Sequence, residues 1–432
     1  MFLFRVRALG ACLLIAGLSL LRAHAEEREA IAAPVPSLSL SQAIERALAA
    51  NPALQGFAFA LKAQDARITQ AGQRPATEAS FELENALGSG EFSALDAAEA
   101  TFSLSQVIEL GDKRQFRSAV AQSGREVLSV ERQAAQLDVL AEVTRRFIAV
   151  AAAQEQLTLN QAATALAKGT VDDVALRVRA AKSPEGELLR SRAAFSRAGI
   201  DEQRAMAQLN AARQKLAATW GSSRPDYGQV NADLYRFPAL RDFESLATRL
   251  DANPDFLRFA SEARLRDAEL RLAGSLRKPD LALSGGVRRL EETNDQALVM
   301  GISVPLFPGR RAAPMIAEAE ALRGLVDVER GAARIQARTQ LYGLYEQLQQ
   351  AVRETETLRR DVMPQLEEAL KATRYAYERG RYGYLELIDA QRTFLEARAA
   401  AIASAATGQE LLAEIERLTG EPLVETNALE QP

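Results

Sequence analysis

The chain has 432 residues, 47% of them hydrophobic and only 6% aromatic, with a formal net charge of −4. That is enough apolar material for a large core. Ala, Leu, Glu, Gln and Arg dominate long stretches, a mix that favours extended helices packed through small side chains. The single cysteine, Cys12, and the single histidine, His24, both fall in the first 25 residues.

Those 25 residues read as a signal peptide. Arg5 and Arg7 form a charged start, Ala8 to Leu21 is apolar, and Ala23-His24-Ala25 is an A-x-A cleavage site, so the mature chain is expected to begin at Glu26. Leu9-Gly10-Ala11-Cys12 resembles a lipidation box, but the apolar region lies mostly after Cys12 rather than before it. Cleavage would leave a mature chain without Cys or His, which excludes disulfides, thiolate and imidazole chemistry, and zinc sites built from those residues. Removing Arg5, Arg7 and Arg22 leaves 50 basic against 57 acidic residues, a net charge of −7 that gives no support to nucleic-acid binding. No Walker-type phosphate loop, nucleophile motif or paired-carboxylate cleft is present, so neither an enzyme nor a cofactor is expected. After Ala25 no apolar run approaches the ~18 residues of a spanning helix. An exported chain of this kind is soluble, or enters the outer membrane as β-strands.

The chain repeats itself at about 200 residues. Ala47-Leu48-Ala49-Ala50-Asn51-Pro52 returns as Arg249-Leu250-Asp251-Ala252-Asn253-Pro254, and Arg74-Pro75 as Lys278-Pro279. Gly111-Asp112-Lys113-Arg114 is echoed by Gly309-Arg310-Arg311, and Glu187-Leu188 with Phe195 by Glu386-Leu387 with Phe394. This predicts two structural repeats, 26–220 and 221–432, each running helix, two strands, very long helix, break, shorter helix.

In chain order, an opening helix is expected over roughly 40–73, with Ser39 or Ser41 as N-cap. Two alternating segments follow. Phe81 and Leu83 oppose Ser80, Glu82 and Glu84; then Ala100, Phe102 and Leu104 oppose Thr101, Ser103 and Ser105. From Asp112 to Lys182 there is no proline, predicting a helix of about 105 Å. Its apolar residues form two adjacent stripes, one through Val127, Val130, Ala134, Leu137 and Ala141, the other through Leu140, Val143, Phe147 and Val150. One stripe suffices for a two-helix seam; two suit a stave in a hollow cylinder. The second repeat has Leu281, Leu283 and Val287 against Ser284, Gly286 and Arg288. Leu298, Met300, Ile302 and Val304 then oppose Gly301 and Ser303, and a long helix runs from Pro314 to Arg379 with a kink at Pro364.

One alternating segment fits a half-buried hairpin; four in an exported chain fit membrane strands with lipid on one face and water on the other. Glu82 and Glu84 then face a lumen. Four strands cannot close a barrel, because the unpaired edges would be costly in lipid. Two copies would supply 8 strands and three would supply 12, and spacing does not choose between them.

These paired halves resemble the TolC-like outer-membrane efflux proteins, as does Ser303-Val304-Pro305-Leu306-Phe307-Pro308-Gly309 leading into an Ala/Glu-rich helix. The likeness covers about Leu38 to Gly420. The first half is similar to the heavy-metal, CzcC-type branch in Glu82-Leu83-Glu84-Asn85, in the stretch from Leu104 to Arg114, and in Arg177 to Pro184 with the following Glu187. The resemblance implies a mainly α fold with a small β part: a long α-helical barrel plus a 12-stranded membrane β-barrel shared by a homotrimer. It implies a passive exit duct in outer-membrane lipid, working with a periplasmic adaptor and an inner-membrane RND pump, with cobalt, zinc or cadmium as cargo. Drugs or secreted proteins are the alternative cargo. A periplasmic adaptor would carry one hairpin flanked by β-rich domains, and a structural coiled-coil protein would not need four alternating strands.

The resemblance also implies an aperture at the two helix breaks, Ser183-Pro184 and Gly380-Arg381-Tyr382-Gly383. The family's acidic positions six and nine after the glycine fall on Glu386 and Asp389, i and i+3 on one helix face; taken without the resemblance, they read as a solvated face. Tyr377 matches a latching tyrosine, and Glu187 the acidic position facing it. The family's latching arginine is replaced by Tyr382, with Arg381 alongside.

Overall fold

The computed structural model describes residues 37–420. The expected signal peptide therefore lies outside the described residues. Helices α1 (Leu40–Ala50) and α2 (Pro52–Ala71) open the chain, followed by strands β1 (Glu78–Glu84) and β2 (Glu99–Ile108), then α3 (Lys113–Arg179) and α4 (Glu185–Ala218). The series then recurs as α5 (Phe243–Arg249), α6 (Pro254–Ser275), β3 (Leu281–Leu290), β4 (Asp295–Ser303), α7 (Pro308–Thr357), α8 (Met363–Glu378) and α9 (Tyr384–Thr419).

The expected single opening helix over 40–73 is two helices. Ser39 caps α1 through a capping box with Gln42. Asn51 then ends α1 in an extended conformation and caps α2, with Pro52 at its first position. Proline is welcome there because that N–H has no helical partner, but it cannot continue the helix before it. The second Asn-Pro does the same at α6: Asn253 accepts from the Asp255 N–H at 2.8 Å. Its amide also donates to the Arg417 and Leu418 carbonyls at 2.7 and 2.9 Å, tying α6 to the end of α9. Asn253 is 1% exposed. Asn253→Ala is expected to cost about 2–3 kcal/mol, because a cap is lost and two carbonyls are orphaned in one step; thermal unfolding in detergent measures it.

The four strands form one antiparallel sheet in the order β1-β2-β3-β4. Its register sets Phe81 opposite Phe102, Phe102 opposite Val287, and Val287 opposite Leu298. All the apolar positions of the alternating pattern therefore share one face, and most of them are exposed: Phe81 68%, Leu298 82%, Met300 86%. An uncovered apolar face of this extent belongs against lipid rather than water. On the other face Ser80 and Ser103 hydrogen-bond at 2.7 Å. There too Arg288 joins three strands, contacting Glu84 at 3.0 Å, Glu99 at 2.7 Å and Thr101 at 3.0 Å. Glu84 thus lies on the polar face, as expected. Among the described residues of the protomer the outer edges of β1 and β4 are unpaired.

Helix α3 is 67 residues long, about 100 Å. It packs against α2 and α6 near the sheet and against α4 and α9 further along. Val143, Phe147 and Val150 are buried in a core shared with α1, α4 and the segment through Tyr227 and Val230. Ile148 and Ala151, which continue the first stripe, are buried in the same core. A parallel core joins α5, α6, α7 and α9 around Leu341, Leu348 and Ile415.

The second long helix departs from expectation at both ends of its span. It begins at Pro308, six residues before Pro314, which is accommodated within its first turns. The bend is a π-helical segment, Leu358–Val362, rather than a kink at Pro364 itself; Pro364 sits at the second position of α8. A proline removes one i→i−4 donor, and a widened turn just before it relieves the clash with the ladder. Among the described residues no helix is long and apolar enough to cross a membrane.

Candidate aperture at the hairpin tips

The two breaks lie together at the end of the molecule farthest from the sheet. In the first, Ala181 adopts φ 55° and α4 restarts after Pro184. In the second, Gly380 adopts φ 71°, a left-handed conformation that terminates α8 at no steric cost. Val174, Tyr377, Tyr384 and Leu387 pack into a small core that binds the two turns to each other.

Arg177 holds this core. Its Nη1 donates to the Tyr377 carbonyl at 2.5 Å and its Nε to Ser183 Oγ at 3.1 Å, while its guanidinium lies 4.6 Å from the Tyr377 ring centroid. One side chain on α3 thus engages the end of α8 and the neighbouring turn. Two further contacts follow one helix face upward: Asp173 pairs with Arg374 at 3.4 Å, and buried Gln391 donates to Thr170 Oγ1 at 2.9 Å. None of Arg177, Asp173 or Thr170 was singled out from sequence for this role. Their spacing of three and four residues, on one face with Val174, is the signal that marks them.

Among the residues anticipated from sequence, Glu187 and Tyr377 come together. Tyr377 is 1% exposed, and its hydroxyl, buried near Ser183, has no hydrogen-bond partner of good geometry among the described residues. Burial pushes its pKa up, the Arg177 charge opposes this, and the Glu187 carboxylate adds to it. Tyr384 is raised likewise, first by burial, with Arg190 opposing and Glu187 adding. Glu187 therefore sits where its charge reaches both rings.

Arg381 is not brought to that pair. It is exposed and forms no side-chain ion pair within the protomer among the described residues; its backbone N–H donates to the Ala376 carbonyl at 2.9 Å. Arg177 occupies the place on Tyr377 that the resemblance suggested for a nearby arginine. Glu386 is the third residue of α9 and accepts from the Gly383 N–H at 3.0 Å, capping its own helix. Asp389, one turn on, is exposed. Both carboxylates thus project from the first turns of α9, where the helix dipole favours negative charge.

The architecture defines a class: a sheet with one lipid-facing side, carried on a long helical body with reversing tips. Residues 246–421 match the family model described as outer membrane efflux protein. The chain is 28% identical over 361 residues to the cobalt-zinc-cadmium resistance protein CzcC of Cupriavidus metallidurans, covering 84% of this chain and 85% of that protein. It is also 28% identical over 350 residues to the nickel and cobalt resistance protein CnrC of the same organism, covering 79% of each. Among solved structures, CusC, whose crystal structures concern folding and transmembrane channel formation, aligns with a TM-score of 0.73 at 16% identity, over 88% of this chain and 92% of that one. The chain is thus similar to the TolC-like outer-membrane efflux proteins, and in sequence to their heavy-metal branch. It is a transport duct rather than an enzyme or an adaptor, seated in the outer membrane with its helical tunnel reaching into the periplasm.

Proposed function

We propose that three copies assemble into a passive exit duct for divalent heavy-metal cations, fed by a periplasmic adaptor and an inner-membrane RND pump. The observation that carries the cargo is the likeness to CzcC across 84% of the chain. The open edges of β1 and β4 support the assembly, since unpaired backbone groups are costly in lipid and three sheets of four strands give a closed barrel of twelve. Energy comes from the pump; the duct supplies a path and a gate.

In this reading the tips form the gate. Glu386 and Asp389 from three protomers make two stacked rings of carboxylates, which attract cations. Glu187 and Tyr377 hold the closed state within each protomer, with Arg381 exposed on the adjoining turn to assist them. The cargo is tested by growth of a deletion strain on graded zinc, cobalt, cadmium, copper, silver and a panel of drugs. Selective hypersensitivity to the divalent metals, restored by the gene, is expected. Sensitivity to drugs alone would overturn the cargo and leave the duct.

A further inference from the structure

All four strand-to-helix junctions lie at one end of the sheet, where Glu78 faces Ser105, Ile108 faces Leu281 and Ala282 faces Ser303. They are stitched to one another there. Lys113 Nζ donates to Asp280 Oδ1 at 2.7 Å, and the Leu110 N–H reaches the same oxygen at 3.3 Å. Arg117 pairs with Glu109 and reaches the Gln73 carbonyl at 3.4 Å. Gly111 adopts φ 83°, and a Cβ placed on it would stand 2.6 Å from Lys278 Cδ, so the lysine stem lies across that turn.

Around this collar six cations are exposed and form no ion pair among the described residues: Arg74, Arg114, Arg277, Lys278, Arg310 and Arg311. Of the four acids at these junctions, Glu109 and Asp280 are engaged, while Glu78 and Asp112 form no ion pair among the described residues, so the unpaired cations outnumber the unpaired acids six to two. The opposite rim of the sheet has the reverse balance, with Glu84, Glu99, Glu291, Glu292 and Asp295 against Arg288 and Arg289. The cationic collar also runs straight into the apolar face. Leu306 and Phe307 are 77% and 74% exposed, and the Arg310 guanidinium lies 6.0 Å from the Phe307 ring centroid. Phe307 itself sits at φ 58° where β4 hands over to α7, a strained conformation for an aromatic residue that turns the chain between the two.

We infer that this collar binds the headgroups of anionic phospholipids in the periplasm-facing leaflet, an inference that rests on the outer-membrane reading above. An aromatic ring at the edge of an apolar band lies at headgroup depth. Arginines three and four residues further along then stand level with the lipid phosphates, which they can grip bidentately. The polarity of the two rims confines the interaction to one leaflet and, with it, fixes the vertical seat of the helical tunnel.

The test uses the full mature protein purified in detergent and reconstituted into phosphatidylcholine vesicles or into phosphatidylcholine mixed with phosphatidylglycerol. Native mass spectrometry after extraction reads the lipid retained per trimer. Phosphatidylglycerol is expected to be retained preferentially. The triple variant R114Q/R310Q/R311Q should lose that preference by about tenfold or more, since each basic group near a charged surface is worth about 1 kcal/mol. R277Q/K278Q, away from the start of α7, should lose it partially and guards against a folding defect in the triple variant. Inorganic phosphate at matched concentration should not displace the lipid. Equal retention of the two lipids, unchanged preference in both variants, or displacement by phosphate would each overturn the collar. Failure to insert into either vesicle would overturn the membrane reading instead.

Discussion

Arg177→Ala is expected to raise the single-channel conductance of the assembled duct severalfold and to make cells sensitive to solutes as large as vancomycin. Arg177 makes two hydrogen bonds and a ring contact that join α3 to the turn at Ser183 and to the end of α8. A hydrogen bond from a charged group is worth about 1.5–3 kcal/mol and a partly desolvated cation–π contact about 1 kcal/mol. Their loss in every protomer removes a few kcal/mol of closed-state stabilisation each. Beneath Arg177 lies a core of only four buried side chains, too small to hold the tips without help. Arg177→Lys keeps the charge and loses the planar fork, so partial leakage is expected. Arg392→Ala breaks only an exposed i,i+4 pair with Glu396 and should behave as wild type. Wild-type conductance from Arg177→Ala would remove Arg177 from the gate.

The second large effect concerns the sheet. Leu298→Arg should abolish assembly in the outer membrane, whereas Val299→Arg, one residue on, should assemble and alter conductance. Leu298 is 82% exposed on the apolar face, opposite Val287 in the middle of the sheet. A cation at the bilayer midplane of a barrel costs about 2–4 kcal/mol, incurred once per protomer. Val299 lies on the polar face opposite Gly286, where a long cation meets water. Heat-resistant oligomers in outer-membrane fractions read the difference. Equal assembly of the two variants would contradict the assignment of lipid to the apolar face.

Much of this architecture was legible in the residues because its signals are periodic or repeated. Alternation at Phe81/Leu83 and Leu298/Met300/Ile302 marked the lipid face, and the offset of about 200 residues marked the recurrence of elements. What escaped was local competition between neighbouring signals. Helical periodicity runs through Asn51-Pro52, so the opening segment read as one helix, although Asn51 caps α2 and ends α1 together. Pro364 announced a bend, but the ladder absorbs it one turn earlier as a π-helical segment. At the tips, the breaks were legible from proline and glycine chemistry, and Glu187 beside Tyr377 followed from the resemblance. Arg177 was hidden because its contacts join residues up to 200 positions apart, which no local pattern records. Glu386 was expected to line an opening; within the protomer its carboxylate caps its own helix.

The most direct test of the duct is planar-bilayer recording from purified trimers, made with the wild type and with Arg177→Ala so that a closed aperture cannot mask a pore. The account predicts discrete, cation-preferring steps, small in the wild type and several times larger in the variant, with no nucleotide or other energy source present. Silence from both, in bilayers shown to contain the inserted trimer, would contradict it.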